Sequence, residues 1–350
     1  MGLIFSVLSL PLVDLGYAYP LCVIGSILVV LGLFLDGQST KLVHLIFTHG
    51  ICHGVGCGLI YVPSLNCCAS HFTRYRERNI SIATLANPLG GIVYSIMFFH
   101  LSQHISYPWT MRVIGFIAMG TSFLGLLFLR PRDKPRKPRK VLTSRFFHEK
   151  TSILHAIGYM FVLLGNYTPA SFMPSYGKHQ HLSVHVFPYI TSFLRSGNIL
   201  GRIPTKFLRT YMGAFNLFIP RIIFAAVLCF CWIAAHTAPS VVPLTVIYGV
   251  VTSSALSSLP VLVNALSDDD EQDAQVGTAT FIAAFGALFG PPIAGSLLEV
   301  DPPNYLHAQI FSGLMFIAGA LNLFVVRQMK LHGRWFVTVS YTHLTLPTIC

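Results

Sequence analysis

The chain consists of long apolar stretches separated by short polar loops. Tyr19–Leu35 contains no charged residue, and Leu154–Met173, Leu228–Asn264 and Gln275–Leu298 follow the same pattern. A soluble domain cannot bury so many continuous hydrophobic segments. A bilayer can, because a helix of about 20 residues crosses its core and satisfies its own backbone groups. The pattern therefore predicts an all-α, polytopic membrane protein.

Composition agrees with this class and limits the number of spans. The chain has 350 residues, of which 53% are hydrophobic and 10% are charged, whereas a soluble domain typically contains about 25% charged residues. Eleven apolar segments leave only short loops, one basic linker and a tail outside the membrane. The predicted spans are residues 1–13, 19–36, 43–67, 80–101, 109–129, 151–173, 186–207, 214–236, 241–265, 276–298 and 306–327.

Basic residues are distributed unequally between alternate loops. Seventeen Lys or Arg lie in one set of loops, and two or three, including Lys41 and Lys178, lie in the other. Because cytoplasmic loops carry the excess of positive charge, the first set is predicted to be cytoplasmic. This rule also accounts for the formal net charge of +11. Membrane lipid is therefore the predicted partner and nucleic acid is not, although the sequence does not distinguish the plasma membrane from an internal one.

A basic, proline-rich linker divides the chain into two predicted domains. Residues 130–150 include nine Lys or Arg, and such a segment is expected to be extended because it cannot form a core. It separates an N-terminal helix bundle, residues 1–129, from a C-terminal six-helix bundle, residues 151–330. Residues 331–350 form a tail whose last twelve residues resemble a translated sequencing adaptor and are expected to be non-native.

Two arginines and an asparagine in one span form the most specific chemical signal. Arg195, Asn198 and Arg202 are three and four residues apart, so they share one helix face. Arg195 and Asn198 fall near mid-membrane, where a cation is costly and normally faces a cavity or a partner. No carboxylate lies at that depth, so an organic anion held by the planar guanidinium is predicted. Alternatively, Arg202 extends to the cytoplasmic surface and Arg195 bonds backbone carbonyls; Arg221, in the next span, is expected to extend to that surface.

Proton carriers within the membrane are predicted from histidines rather than carboxylates. All twelve Asp and Glu lie in loops or at span ends, so none is expected to carry a proton there. His49 and His53 lie one turn apart in a span and can titrate near neutrality. They are candidates for a proton relay, and hydrogen bonding between helices is the alternative. No metal site, cofactor site or catalytic motif is recognised, so the chain is not predicted to be an enzyme.

Several short stretches occur together in a fixed order along the chain. They are Gly56–Pro63, Gly90-Gly91, Met111–Phe116, Arg130–Arg132, Gly201-Arg202, Cys231–Ala235, Gly290–Gly295 and Ala308–Gly313. With these stretches the chain resembles a monocarboxylate-transporter-like member of the major facilitator superfamily, of the fungal branch. This resemblance implies twelve helices in two bundles, so one helix and part of the next are expected to be missing before Met1.

The resemblance also bears on the substrate site. It implies substrate binding by Arg202, but Asn198 stands where animal relatives have an Asp that takes part in proton coupling. The resulting hypothesis is a secondary transporter that moves a monocarboxylate or similar small organic anion by alternating access. Arg202 and Arg195 would hold the carboxylate, Asn198 would supply a neutral hydrogen bond, and a proton is the candidate coupled ion. The alternative hypothesis is a non-transporting membrane sensor or scaffold with a transporter fold.

Overall fold

The computed structural model describes residues 1–71, 76–131, 144–183, 186–266, 272–300 and 303–331. Most of the predicted linker, the acidic segment 267–271 and the predicted tail beyond residue 331 lie outside these residues. Within them the chain is helical except for short turns and one pair of two-residue strands. The strands, β1 (Glu299–Val300) and β2 (Pro303–Asn304), pair antiparallel.

Eight helices belong to the described part of the N-terminal half. Between α4 and α5, Ile46–His53 forms a π-helical segment, so Leu42–His71 is one continuous 30-residue helix. The helices are α1 (Gly2–Leu8), α2 (Leu10–Asp14), α3 (Ala18–Asp36), α4 (Leu42–Leu45), α5 (Gly54–His71), α6 (Arg76–Thr84), α7 (Ala86–His104) and α8 (Tyr107–Phe128).

Eight further helices are found in the C-terminal half over the ranges described above. The 3₁₀ turn Phe187–Tyr189 precedes α11. The helices are α9 (Ser144–His148), α10 (Lys150–His179), α11 (Ile190–Met212), α12 (Ala214–Ala234), α13 (Ala238–Thr252), α14 (Ser258–Leu266), α15 (Gln272–Ser296) and α16 (Leu306–Leu331).

The predicted all-α, multi-pass architecture is confirmed. Each of the eleven predicted spans coincides with one of these helices or with consecutive helices. Within the described residues, seven helical segments are long and apolar enough to cross a membrane. Large apolar side chains point outward along them; Phe128, for example, is 83% exposed. Water disfavours so much exposed apolar surface, whereas lipid accepts it.

Local sequence signals place several helix ends. Gly213 has a φ of 77°, a left-handed conformation that glycine adopts without steric cost, and it separates α11 from α12. Thr237 and Ser240 form a capping box at the start of α13. Pro108 lies in the first turn of α8, where its missing N–H costs nothing.

The helices pack into two halves that touch along two seams. In the N-terminal half α3 packs against α5 and α8, and α1 packs against α5. In the C-terminal half α10 packs against α15 and α16, while α11 packs against α13. Contacts between the halves run from α7 to α11 and from α1 to α15. The space between these seams can hold a ligand.

The structure corrects two sequence predictions about regular elements. The predicted span 241–265 is not one helix, because α13 ends at Thr252 and α14 begins at Ser258. The predicted linker is not extended throughout, because its last part forms α9 and buries Phe146 to 1% exposure in the C-terminal core. Burial of the apolar ring of Phe146 stabilises this short helix, although the surrounding segment is highly charged.

Candidate functional site: a cationic cavity between the two halves

A cavity of about 410 Å³ lies between the two halves, and we refer to it as the central cavity. Its walls come from α1, α5, α6 and α7 on one side, and from α10, α11, α13 and the turn after α13 on the other. Small-molecule sites typically have volumes of about 300–1,000 Å³. The cavity is therefore large enough for a small organic ligand.

One wall of this cavity is the polar face of α11. Arg195, Asn198 and Arg202 all line it, so the structure brings together the three residues that share a face in the sequence. All three side chains are partly buried. Because α11 continues to Met212 instead of ending near residue 207, Arg202 lies close to the middle of the helix. The predicted anion-binding residues thus lie deep in the molecule.

Glycines fix the rotation of α11. A Cβ at Gly197 would overlap the carbonyl oxygen of Val246, and one at Gly201 would overlap that of Val250. Small residues allow two helix backbones to approach this closely. Since the glycine face of α11 is pressed onto α13, its arginine face is directed into the cavity.

Three polar atoms on this wall lack partners within the part of the protein that the structure describes. Nε of Arg195, Nε of Arg202 and Oδ1 of Asn198 are buried and have no hydrogen-bond partner among the described residues. Buried polar atoms are nearly always paired, so each exception calls for an explanation, such as a bound water or ion. The two unpaired Nε–H groups are donors that suit an acceptor-rich, anionic group, whereas the unpaired oxygen of Asn198 is an acceptor.

Arg195 lies against a glycine of the opposite half. A Cβ at Gly91 of α7 would come within 2.9 Å of the Arg195 Nε and 3.0 Å of its Cδ. The missing side chain therefore leaves the space that the guanidinium stem occupies. Ser95, one turn later on α7, is 3.0 Å from the Ser192 hydroxyl, Oγ to Oγ, and continues the same seam.

The remaining lining is mostly neutral. Among the described residues no carboxylate lines the cavity, so the two guanidinium charges are not neutralised there. Tyr61 lies within electrostatic range of Arg202, and Tyr167 within range of Arg195. The sequence did not single out these tyrosines, because aromatic residues in apolar spans usually pack. Apolar surface comes from side chains such as Leu3, Pro88, Ala170, Leu194 and Leu256.

Arg221 does not extend to the surface as expected. Its guanidinium donates to the carbonyl oxygens of Val250 and Val251, and to the hydroxyls of Thr205, Ser253 and Ser254 at 2.6–3.1 Å. The carbonyls at the end of a helix have no partner within the helix. Arg221 therefore caps the end of α13 and holds the turn between α13 and α14.

This turn separates the central cavity from a second cavity. The second cavity has a volume of about 320 Å³, lies beside the turn and has Arg221 on its lining. Thr84, Arg202 and Ser257 line both cavities. Arg202 thus lies at the boundary between the two cavities.

The candidate relay residues lie outside the central cavity. His49 and His53 stack with ring centroids 5.0 Å apart in the π-helical segment. Asp36, at the end of α3 as the sequence suggested, is 1% exposed, and its Oδ2 is 2.7 Å from Nδ1 of His49. The sequence did not indicate that this carboxylate would be buried and paired.

The geometry can bind and position an anion. Two cations, three asparagine amides and several hydroxyls surround the space. The Cys57 thiol also lines it, and its sulfur is 3.4 Å from Nε2 of His53. The two cations and the neutral donors suit this space to an anionic ligand.

Comparison with known proteins gives consistent matches. The model of the Major Facilitator Superfamily matches residues 1–291 and, in a second alignment, residues 155–336. MFS-type transporter 1 of an Ophiocordyceps species is 26% identical over 313 residues, which cover 88% of this chain and 69% of that protein. MFS transporter asaE of Aspergillus flavus is 27% identical over 309 residues, covering 87% and 70%. Aspyridones efflux protein apdF of Emericella nidulans is 25% identical over 311 residues, covering 88% and 63%.

Proposed function

The chain belongs to the Major Facilitator Superfamily, and from this premise we propose that it is a secondary transporter that moves a small organic anion through the central cavity. The ligand is a monocarboxylate or an acid of similar charge with an apolar body. The single observation that carries this proposal is the pair of arginines on one cavity wall, each with an unpartnered buried Nε. Their charge needs a counter-ion, and the described lining supplies none.

Each residue of the α11 wall has a distinct role in this proposal. Arg202 and Arg195 bind the carboxylate oxygens, because a guanidinium matches a carboxylate in two parallel hydrogen bonds. Asn198 adds a neutral hydrogen bond. The apolar residues of the N-terminal half and of α10 contact the body of the substrate. Selectivity then comes from the charge at one end and the shape of the rest.

Transport requires the two halves to move relative to each other. We place the moving units at residues 1–129 and 151–330, with residues 130–150 as their connection. A site between two such bundles opens to one side at a time when they rock. The relatives above are named as transporters or efflux proteins, which favours transport over the sensor hypothesis. The aspyridones relative supports export as the direction.

The test of this function compares two ligands of nearly equal shape. Benzoate and benzamide differ in charge at one end, so the purified full chain in lipid nanodiscs should bind benzoate saturably and benzamide at least about tenfold more weakly, since a charged hydrogen-bond pair is worth about 1.5–3 kcal/mol. Equilibrium dialysis with radiolabelled ligands measures both. Equal binding of the two ligands would show that the site does not select for negative charge, and it would contradict the proposed anionic substrate.

A glycine substitution tests the position of Arg195. Gly91→Ala should weaken benzoate binding about tenfold, because the new methyl group displaces the guanidinium stem and costs one charged hydrogen bond. Gly90→Ala is the matched control on the same helix. Its Cβ would meet only the Tyr94 ring, at 3.9 Å. Equal affinities in the two variants would show that Arg195 does not contribute from this position.

A further inference from the structure

A buried carboxylate–histidine pair lies at the end of α3 opposite the cytoplasmic loops of the predicted orientation. Asp36 is 1% exposed, whereas the His49 side chain is 61% exposed. Asp36 accepts a hydrogen bond from the Thr48 hydroxyl, and its Oδ2 lies 2.7 Å from the imidazole Nδ1. A carboxylate shielded from water is costly unless it is paired. The pair therefore joins a buried acceptor to a side chain that solvent can reach.

His49 faces a third cavity, distinct from the two described above. It lines a cavity of about 440 Å³ together with residues of α3, α7, α8, α10 and α11; we refer to this space as the outer cavity. Lys178 is the other charged residue on the described lining. Tyr107 of α8 and Cys52 of the π-helical segment lie within electrostatic range of Asp36. The charged groups that face His49 are therefore the Asp36 carboxylate behind it and the Lys178 ammonium on the lining of the outer cavity.

A stripe of polar side chains runs from this pair to the central cavity. His49, His53, Cys57 and Tyr61 follow one another at four-residue intervals along the helix Leu42–His71. Nε2 of His53 is 3.4 Å from the Cys57 sulfur, and Nδ1 of His53 is buried without a hydrogen-bond partner among the described residues. Cys57 and Tyr61 line the central cavity, where Tyr61 lies near Arg202.

The π-helical geometry coincides with the two histidines. It covers Ile46–His53 and gives way to α-helix at Gly54. Short π segments inside α-helices are frequently found at functional sites. The parallel rings of His49 and His53 are separated by 5.0 Å with an interplanar angle of 6°. Two imidazolium charges at this distance repel each other, so the stack favours a single bound proton.

We propose that Asp36 and His49 form the proton-binding site of this transporter, and that His53 passes the proton on toward the central cavity. This inference rests on the proposed function. The central cavity has no carboxylate or histidine on its described lining, so a coupled proton needs a site elsewhere. The pair at Asp36 combines a buried counter-charge, access to the outer cavity and a polar connection inward.

The proton balance of this step is simple. A hydronium ion in the outer cavity gives its proton to Nε2 of neutral His49, whose Nδ1–H donates to Asp36. The net charge of the pair changes from −1 to zero. His53 receives the proton when one ring rotates out of the stack, and then releases it to water in the central cavity. No proton is consumed in a full cycle.

The first experiment measures proton binding without any substrate. Full-length protein labelled with ¹⁵N-histidine in lipid nanodiscs is titrated from acidic to basic pH by NMR. The wild type should show one histidine resonance that titrates together with a second one, and His49→Gln should remove the first and alter the second. Asp36→Asn should weaken proton binding by the same histidine because it removes the negative charge. A spectrum in which His49 stays neutral throughout would overturn the site.

The second experiment measures coupling in proteoliposomes with radiolabelled benzoate. The readout is the initial rate of accumulation driven by a pH gradient, in excess of the rate in protein-free liposomes, because neutral benzoic acid also crosses a bilayer unaided. His49→Gln should lose this gradient-driven accumulation but retain counterflow at equal pH on both sides. His104→Gln is the matched control and should behave like the wild type. His104 is exposed at the C-terminal end of α7, on the same side of the predicted bilayer as His49. Gradient-driven accumulation that survives in His49→Gln refutes the coupling role. Absent counterflow in the wild type would count against the proposed function instead.

Discussion

Arg202→Lys is expected to abolish saturable benzoate counterflow while leaving the protein folded. The guanidinium binds a carboxylate through two parallel hydrogen bonds, whereas the lysine ammonium is a point charge that cannot reproduce this geometry. Loss of a charged, bidentate pair costs about 2–3 kcal/mol, which corresponds to about 30- to 150-fold in affinity. Because Arg202 lines both adjoining cavities, the substitution affects binding and passage together.

The matched control for this substitution lies elsewhere in the chain. Arg112 stacks over the Trp109 ring at 4.9 Å and is not among the residues that line the central cavity. Arg112→Lys retains the charge and should leave benzoate counterflow unchanged. Size-exclusion chromatography of both variants checks that they fold. Unchanged counterflow in Arg202→Lys would contradict the assignment of this residue to substrate binding.

Arg221→Leu is expected to destabilise the protein more than any other single change considered. The substitution removes the donors that pair with two carbonyl oxygens and three hydroxyls around the end of α13. Breaking a buried, charged hydrogen-bond network costs about 3–5 kcal/mol. The unfolding midpoint in a thermal scan in detergent should therefore fall strongly.

A conservative variant separates charge from hydrogen-bond geometry at this position. Arg221→Lys retains the positive charge, but its three donors cannot reach all five acceptors, so an intermediate midpoint is expected. A midpoint for Arg221→Leu equal to that of the wild type would show that the turn after α13 holds itself together. Both variants leave Arg195 and Arg202 in place, so binding in the folded fraction reports separately on the site.

Most of the fold could be predicted because hydropathy and charge depend on single residues and their neighbours. The continuous apolar runs gave the spans, and the spacing of Arg195, Asn198 and Arg202 gave their common face. The superfamily prediction is confirmed. The narrower resemblance to monocarboxylate transporters stays a prediction, because the relatives compared here are named as MFS transporters or as an efflux protein.

The features that the sequence did not reveal depend on contacts between distant segments. The break after Thr252 contains no Gly or Pro, so only its serines indicate a turn in the sequence. The turn is held instead by hydrogen bonds from Arg221, about thirty residues away. The burial of Asp36 depends on the neighbouring π-helical segment. A span end gives no indication of which terminal carboxylate will be covered. Spacing within one helix cannot report such long-range partners.

The close approach of Arg195 to Gly91 has a mechanical consequence. The two residues belong to opposite halves, and the positive side chain of Arg195 lies directly against the backbone of Gly91. Any separation of α7 from α11 takes away this support and frees the guanidinium to change its direction. Anion affinity should then differ between the two orientations of the carrier, and such a difference allows release on one face and loading on the other.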